Sequence, residues 1–474
     1  MSKIAAIIGG GVIGGGWAAR FLLNGWDVRI FDPDPEAERK IGEVLSNARS
    51  ALPMLYDTAL PDEGDLALVG SVEEAVAGAD WVQESVPERL ELKHAVYKQV
   101  LPYLGPNAIL GSSTSGFKPS ELKDGLEGAG SLVVTHPFNP VYLLPLVELV
   151  PAQDTPKETV DTAKDRLTSV GMHPLVVRKE IDAHIADRFL EAVWREGLWL
   201  IKDGIATTEE IDDAIRYGFG LRWAQMGLFE TYRIAGGEAG MAHFIEQFGP
   251  ALKWPWTKLM DVPDLTPELV KLIADQSDAQ SGTLSIRELE RLRDRNLVAI
   301  LRALKGSDDG AGALLNVHQA KLPVVTSVLD APMVTVDRVI PSDWTDYNGH
   351  MNESRFGQVF SDAADAVMAA VGMDASYLEE MSCFTVDIRI RFLNELMAGE
   401  RINVTSRVVD ATGKKLRLSH SIRRADGTLA ATGEQLLLHI DMAKRRASEP
   451  PDSMVRKLAA LQERHAHLSE TEDS

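Results

Sequence analysis

The sequence predicts three folded parts: an α/β domain on a parallel sheet, an all-α domain and an α+β domain. Three observations carry this. Short continuous apolar runs alternate with helical or polar stretches over residues 1–182, as in a parallel sheet covered on both faces. Residues Ala183–Leu304 carry apolar side chains at helical spacing with few β-branched runs. Beyond about residue 332, one long helical pattern precedes four runs of period-two alternation, the mark of an antiparallel meander.

The elements follow in order. Lys3–Gly9 (KIAAIIG) reads as a buried strand, a helix-like stretch runs on to Leu23, and Val28–Phe31 restores the strand pattern. That is one β-α-β unit. Further apolar runs lie at Trp81–Val82, Ala108–Gly111 and Leu132–Thr135. The helical part takes 183–320; within it Ile286, Leu289, Leu297, Ile300, Leu301 and Leu304 line one face that stops before Gly306. Ser307–Gly312 is a turn-rich break, and residues 321–331 complete a linker. In 332–448, Val334–Ile340 is strand-like and Glu353–Val371 helical; strands are predicted at Phe384–Phe392, Arg401–Val409, Lys415–Arg423 and Thr428–Ile440. From Glu449 to Ser474 the chain is Pro-led and polar, a short helix with a frayed end.

Of the 474 residues, 49 are Lys or Arg and 70 Asp or Glu, a formal net charge of −21. That excess of acid argues against nucleic acid and anionic membranes as main partners. Local amides can still hold a phosphate-bearing ligand. One cysteine, Cys383, permits no disulfide within the chain, which fits a reducing compartment. A strand pattern begins within three residues of the start, and the apolar stretch Ser131–Pro151 is broken by His136, Asn139, three prolines and Glu148. Neither a leader nor a membrane span is expected, so the cytoplasm is the expected location.

Gly9-Gly10-Gly11-Val12-Ile13-Gly14 fits G-x-G-x-x-G directly after a predicted strand. Gly9 permits the tight turn, Gly11 lets a pyrophosphate approach the backbone, and Gly14 lets helix pack on strand. The helix start at Val12 and Ile13 offers amides and a positive dipole end to phosphate. Asp32 ends the next strand, eighteen residues after Gly14, where a carboxylate accepts from ribose hydroxyls and repels a 2′-phosphate. Pro33 rather than Arg follows it. A Rossmann-type domain binding NAD is expected, with Glu84 among its cofactor contacts.

The segments GGGVIGGGWA, Ser112–Gly116 (SSTSG) and His136–Val150 (HPFNPVYLLPLVELV) carry a resemblance. Over residues 3–250 the chain resembles the 3-hydroxyacyl-CoA dehydrogenase family. The resemblance implies that His136 is the catalytic base, that Glu148 orients it, and that Ser115 hydrogen-bonds the reacting oxygen. Ser113 stands where the family has Asn, and Asn139 of H-x-F-N-P is expected at the substrate. The chemistry agrees: oxidising an alcohol removes a hydride from carbon and a proton from oxygen. Imidazole accepts a proton near neutrality, and a carboxylate on its far nitrogen fixes the tautomer.

Two motifs depart from that family. Its N-R dipeptide appears as Asp187-Arg188, and its G-F-P-M-G-P stretch as Gly218-Phe219-Gly220-Leu221-Arg222-Trp223-Ala224. Arg222 suits a free carboxylate; Asp187 with Phe219, Trp223 and Tyr142 suits a cation. Together they point to a small zwitterionic 3-hydroxy acid. The same resemblance allows a 3-hydroxyacyl-CoA or a sugar acid such as L-gulonate.

Asp346-Tyr347-Asn348-Gly349-His350-Met351-Asn352 precedes the long C-terminal helix. It resembles the D-x-x-G-H-x-N motif of hotdog-fold acyl-CoA thioesterases, over roughly 330–445. The resemblance implies a CoA thioester as substrate, Asp346 as nucleophile or general base, and amides around Gly349, His350 and Met351 as oxyanion donors. Asp346 or Asn348 as a plain helix cap is the bland alternative. Lys414, Lys415, Arg417, Arg423, Arg424 and Lys444–Arg446 are either CoA-phosphate contacts or a charged strand edge. Both families pair into dimers, which implies a homodimer. The reading from another class, a non-catalytic NADH- and CoA-binding protein, is opposed by intact His136, Glu148 and Ser115.

Overall fold

A computed structural model of the chain describes residues 2–235, 244–247, 250, 257, 264–281, 283–322, 333–373 and 375–466. It separates into two compact units: Met1–Arg49 with Asp62–His318, and Ser50–Pro61 with Gln319–Ser474. The sequence reading placed residues 50–61 in the first domain. The expected 321–331 linker lies, from 323 onward, outside the described residues.

Among the described residues the first unit holds eight strands: β1 (Ile4–Ile8), β2 (Asp27–Phe31), β3 (Leu66–Leu68), β4 (Trp81–Glu84), β5 (Ile109–Ser112), β6 (Leu132–Pro137), β7 (Leu146–Val150) and β8 (His173–Val176). Their order is β3-β2-β1-β4-β5-β6-β7-β8. Strand order reverses between β1 and β4, the crevice where such sheets bind dinucleotides. β1 to β6 run parallel, while β7 pairs antiparallel with β6 in a register that sets His136 directly opposite Glu148. The twelve-residue spacing read in the sequence is therefore a hairpin connection. β1 and β4 are almost wholly buried, which explains their unbroken apolar runs.

The helical part includes helices Ala186–Lys202, Thr208–Ala214, Gly220–Ala235, Pro267–Ser281, Ile286–Ser307 and Gly310–Gln319. Ile286–Ser307 begins in a capping box between Ser285 and Glu288 and ends on a left-handed Asp308.

The second unit contains β9 (Met333–Val339), β10 (Met381–Phe392), β11 (Arg401–Asp410), β12 (Lys415–Arg424), β13 (Leu429–Asp441) and β14 (Arg446–Ala447). The antiparallel order is β10-β13-β12-β11-β9, with β14 on β13. The helix Glu353–Val371 buries Phe356, Val359, Phe360, Ala363, Ala364 and Val367, the hotdog arrangement. Gly433 is required beneath it, since a Cβ there would lie 2.8 Å from the Phe360 ring. The polar tail contributes more than expected. Helix Asp452–His465 buries Met454, Leu458 and Leu461, and His465 Nδ1 accepts the Val408 N–H at 2.9 Å. No helix among the described residues is long and apolar enough to cross a membrane.

Candidate active sites

The dinucleotide cradle is built by backbone. Gly9 has φ +97°, and a Cβ on it would meet the Ser85 carbonyl at 2.8 Å; one on Gly14 would lie 1.8 Å from the Gly9 oxygen. Gly11 caps helix Val12–Leu22 without a side-chain bond, so its first-turn amides are open to an anion. Val12 is exposed and Ile13 half-buried. Asp32 Oδ2 accepts the Gly10 N–H at 2.6 Å and Oδ1 the Asp34 N–H at 2.8 Å, fixing the carboxylate beside the glycine turn. These residues fit NAD.

Glu84 departs from its expected role. It is fully buried, and Lys93 Nζ, Val86 N–H, Tyr97 O–H and Ser112 O–H all donate to it at 2.6–2.9 Å. With its oxygens spent on the fold, it locks β4, β5 and helix Leu90–Val100 beneath the crevice. Burial, reinforced by the Glu84 charge, pushes the Tyr97 phenol well above its ordinary pKa.

At the far end of the sheet, His136 Nδ1 lies 2.9 Å from Glu148 Oε2. Glu148 Oε1 accepts the N–H groups of Ile185 and Ala186 at 2.7 and 2.8 Å, at the start of helix Ala186–Lys202. Burial works against the Glu148 charge. The bonds from His136 and the two amides outweigh it, and the carboxyl sits below its ordinary value. The Nδ1 bond leaves Nε2 as the nitrogen able to accept a proton.

Ser113 Oγ is tied to Trp17, Gln83 and Ser85 at 2.8–3.2 Å, whereas no hydrogen bond among the described residues uses the Ser115 hydroxyl. Asn139 is exposed, next to a cis bond to Pro140. Asp187 is half-buried at the start of the same helix as Ala186. Burial pushes its carboxyl up, His136 opposes, and Glu191 and Glu148 add like charge. Sequence reasoning missed His184, a fully buried imidazole whose ring lies 5.7 Å from that of His136. Burial first, then the His136 charge, lowers its pKa. No residue spacing signalled it.

Phe219 and Trp223 pack at 4.6 Å between ring centroids. Phe219 ends, and Trp223 follows, a π-helical turn, Ile215–Phe219, in which Gly218 breaks helical geometry, an irregularity common at functional sites. Arg222 is exposed beside them, and no ion pair among the described residues joins it to Asp187 or the His136 dyad. Tyr142 corrects the aromatic reading. It is 3% exposed, donates to Asp294 and receives a bond from Arg293, so it is a buried strut to helix Ile286–Ser307.

In the second unit, Asp346 Oδ1 accepts the N–H groups of Asn348 and His350 at 2.8 and 3.3 Å. The Gly349 N–H goes to the Asp346 carbonyl at 3.0 Å and the Met351 N–H to the Leu396 carbonyl at 2.7 Å. The Gly349 and His350 amides are thus spent within the loop and the Met351 amide on Leu396, the His350 bond being the longest. No hydrogen bond among the described residues engages Asp346 Oδ2. Asn352 caps the long helix by accepting the Ser354 N–H, so the capping role falls to it. Of the basic cluster, Lys444 pairs with Asp441 and Arg424 with Glu400.

Three family descriptions match the chain: "3-hydroxyacyl-CoA dehydrogenase, NAD binding domain" over 4–181, "3-hydroxyacyl-CoA dehydrogenase, C-terminal domain" over 184–265, and "Thioesterase-like superfamily" over 340–458. A Ruegeria pomeroyi protein named L-carnitine dehydrogenase/betainyl-CoA thioesterase is 60% identical over 98% of this chain and 97% of its own. The chain belongs to the L-carnitine dehydrogenase/betainyl-CoA thioesterase family. A Mesorhizobium japonicum protein named L-carnitine dehydrogenase is 61% identical over 65% of this chain and 86% of its own. Among solved structures, a 5-formyl-3-hydroxy-2-methylpyridine 4-carboxylic acid 5-dehydrogenase, described as an NAD+ dependent dismutase, is 29% identical. It covers 65% of this chain and 99% of its own, with a TM-score of 0.54. Members of the bifunctional family join the two site types found here on one chain.

Proposed function

We propose that the first unit oxidises the 3-hydroxyl of L-carnitine with NAD, and that the second hydrolyses betainyl-CoA to glycine betaine and CoA. The observation that carries the first reading is Glu148 bridging His136 and the amides of Ile185 and Ala186. Bound NAD supplies the hydride acceptor. His136 Nε2 takes the hydroxyl proton, Glu148 steadies the imidazolium that forms, and Ser115 directs its hydroxyl at the reacting oxygen. Asp187, Phe219, Arg222 and Trp223 are the groups we assign to the zwitterion's two charges. For the thioester, Asp346 Oδ2 takes a proton from water, whose oxygen displaces the CoA thiolate.

NADH formation with L-carnitine, beside D-carnitine, 3-hydroxybutyrate, L-gulonate and 3-hydroxybutyryl-CoA, tests the first activity. CoA release from betainyl-CoA tests the second. Turnover confined to L-carnitine is expected; turnover on the acyl-CoA alone overturns the carnitine reading.

We also infer a cytoplasmic homodimer. Exposed apolar side chains along helix Ala186–Lys202, with Phe189 54%, Leu190 56% and Trp194 64% exposed, support a covered face. Light scattering should return twice the chain mass.

A further inference from the structure

Resting on the betainyl-CoA reading of the second unit, we propose that Glu353, Glu395, Phe356 and Phe392 form a pocket for the quaternary ammonium of the acyl group. A cavity of about 310 Å³ opens beside the Asp346 loop, and His350 and Met351 of that loop form part of its wall. Its volume is near the lower end of small-molecule pockets, roughly 300 Å³. Phe356 and Phe392 meet edge-on within it, ring centroids 5.0 Å apart at 87°. Phe356 is buried while Phe392 is 54% exposed, so a ring remains open to a ligand.

The charge of this wall is one-sided. Glu353 and Glu395 line the cavity, and among the described residues no Lys or Arg does. His350 Nε2 lies 3.4 Å from Glu395 Oε2. Of the nearby cations, the Arg355 guanidinium lies 5.5 Å from the Trp344 ring, and Arg424 is held by the Glu395 backbone carbonyl and by Glu400 at 3.6 Å rather than by the Glu395 carboxylate. Two carboxylates repel the phosphates of CoA, so the pocket takes the acyl end of the thioester. A quaternary ammonium has no N–H to donate. Ring faces and carboxylate charge are the groups that attract it. In a betainyl thioester the cation is one methylene from the carbonyl carbon, which requires its pocket to adjoin the loop that activates water.

The test compares kcat/KM for betainyl-CoA with that for 3,3-dimethylbutyryl-CoA, in which carbon replaces the charged nitrogen. Reading the ratio cancels any general loss of folded enzyme. The wild type should favour the cation, and Glu395→Gln with Glu353→Gln should cut the ratio by about tenfold or more; Phe392→Leu should cut it severalfold. A ratio unchanged in all these variants overturns the pocket while leaving betainyl-CoA hydrolysis standing. A wild type that cleaves the neutral thioester but not betainyl-CoA overturns the substrate reading itself, and the pocket with it.

Discussion

Glu148 and His136 face each other across the only antiparallel step among the first unit's eight described strands, 2.9 Å apart, and the second Glu148 oxygen holds two amides at the start of helix Ala186–Lys202. One carboxylate therefore fixes the base and the first turn of the helix that carries Asp187. In Glu148→Gln the amide oxygen must accept from Ile185 and Ala186, which turns its NH2 toward Nδ1. Nδ1 must then accept, and the ring proton moves to Nε2, the nitrogen that has to receive the substrate proton. The expected loss in kcat is about 10²–10⁴-fold, with NAD affinity unchanged. Steady-state NADH formation and NAD titration check both; unchanged kcat would remove Glu148 from the mechanism.

Gly14→Ala places a Cβ 1.8 Å from the Gly9 carbonyl oxygen, so the turn that meets the pyrophosphate has to move. NAD binding by titration should be lost. Gly42, in helix Ala37–Ala51 with open space around its Cα, is the control. Gly42→Ala should keep NAD binding and stabilise by about 0.5–1 kcal/mol through helix propensity.

Asp346→Asn should stop CoA release without touching NADH formation, because the Asn oxygen can still accept from Asn348 and His350 and preserve the loop. A thiol assay and an NADH assay on one preparation decide it. Retained CoA release would reduce Asp346 to a turn residue.

Legibility followed the range of the interaction. Helix Glu353–Val371 coincides with its prediction, and the strands from β10 to β13 lie within a few residues of theirs, because alternation and helical spacing are local properties of a buried face. The glycine turn sits in a short motif, while the pairing of His136 with Glu148 came from the family resemblance. What was hidden depends on distant partners. Nothing in LPMLYDTAL marks residues 50–61 for the second unit, where Arg338, 2% exposed on its side chain, pairs with both Asp57 and Asp362. The burial of Glu84 depends on Lys93, Tyr97 and Ser112 converging from two other elements. The closed Asp346 loop likewise needs Leu396 to claim the Met351 amide.

The C-terminal helix is a structural part of the second unit. Leu458 is 5% exposed among Met454, Leu461 and the long-helix residues Val367 and Val371. Leu458→Ala should cost about 2–5 kcal/mol, a large share of the roughly 5–15 kcal/mol that stabilises a domain. The temperature at which CoA release is lost should fall. An unchanged midpoint would show that the helix adds nothing to the core.

Acid should weaken the second unit through His420. Its ring is 1% exposed, stacked on Phe360, with Nδ1 2.7 Å from Ser406 Oγ, and burial pushes its pKa down to about 4. The unfolded chain, with imidazole near 6.5, binds the proton more readily, so stability is intact above that pH and declines as pH falls from 6.5 toward 4. At about 1.4 kcal/mol per factor of ten in proton affinity, the full loss is on the order of 3 kcal/mol. His439 and His465, also lowered by burial, act in the same direction. Asp362 and Asp365, whose carboxyls burial raises, oppose them at the acid end. Urea midpoints at about pH 7, 5.5 and 4.5, across the window of about 6.5 to 4, should fall in the wild type and fall less in His420→Gln. Equal slopes would show that the folded ring takes up its proton as readily as the unfolded one, and that another group carries the acid response.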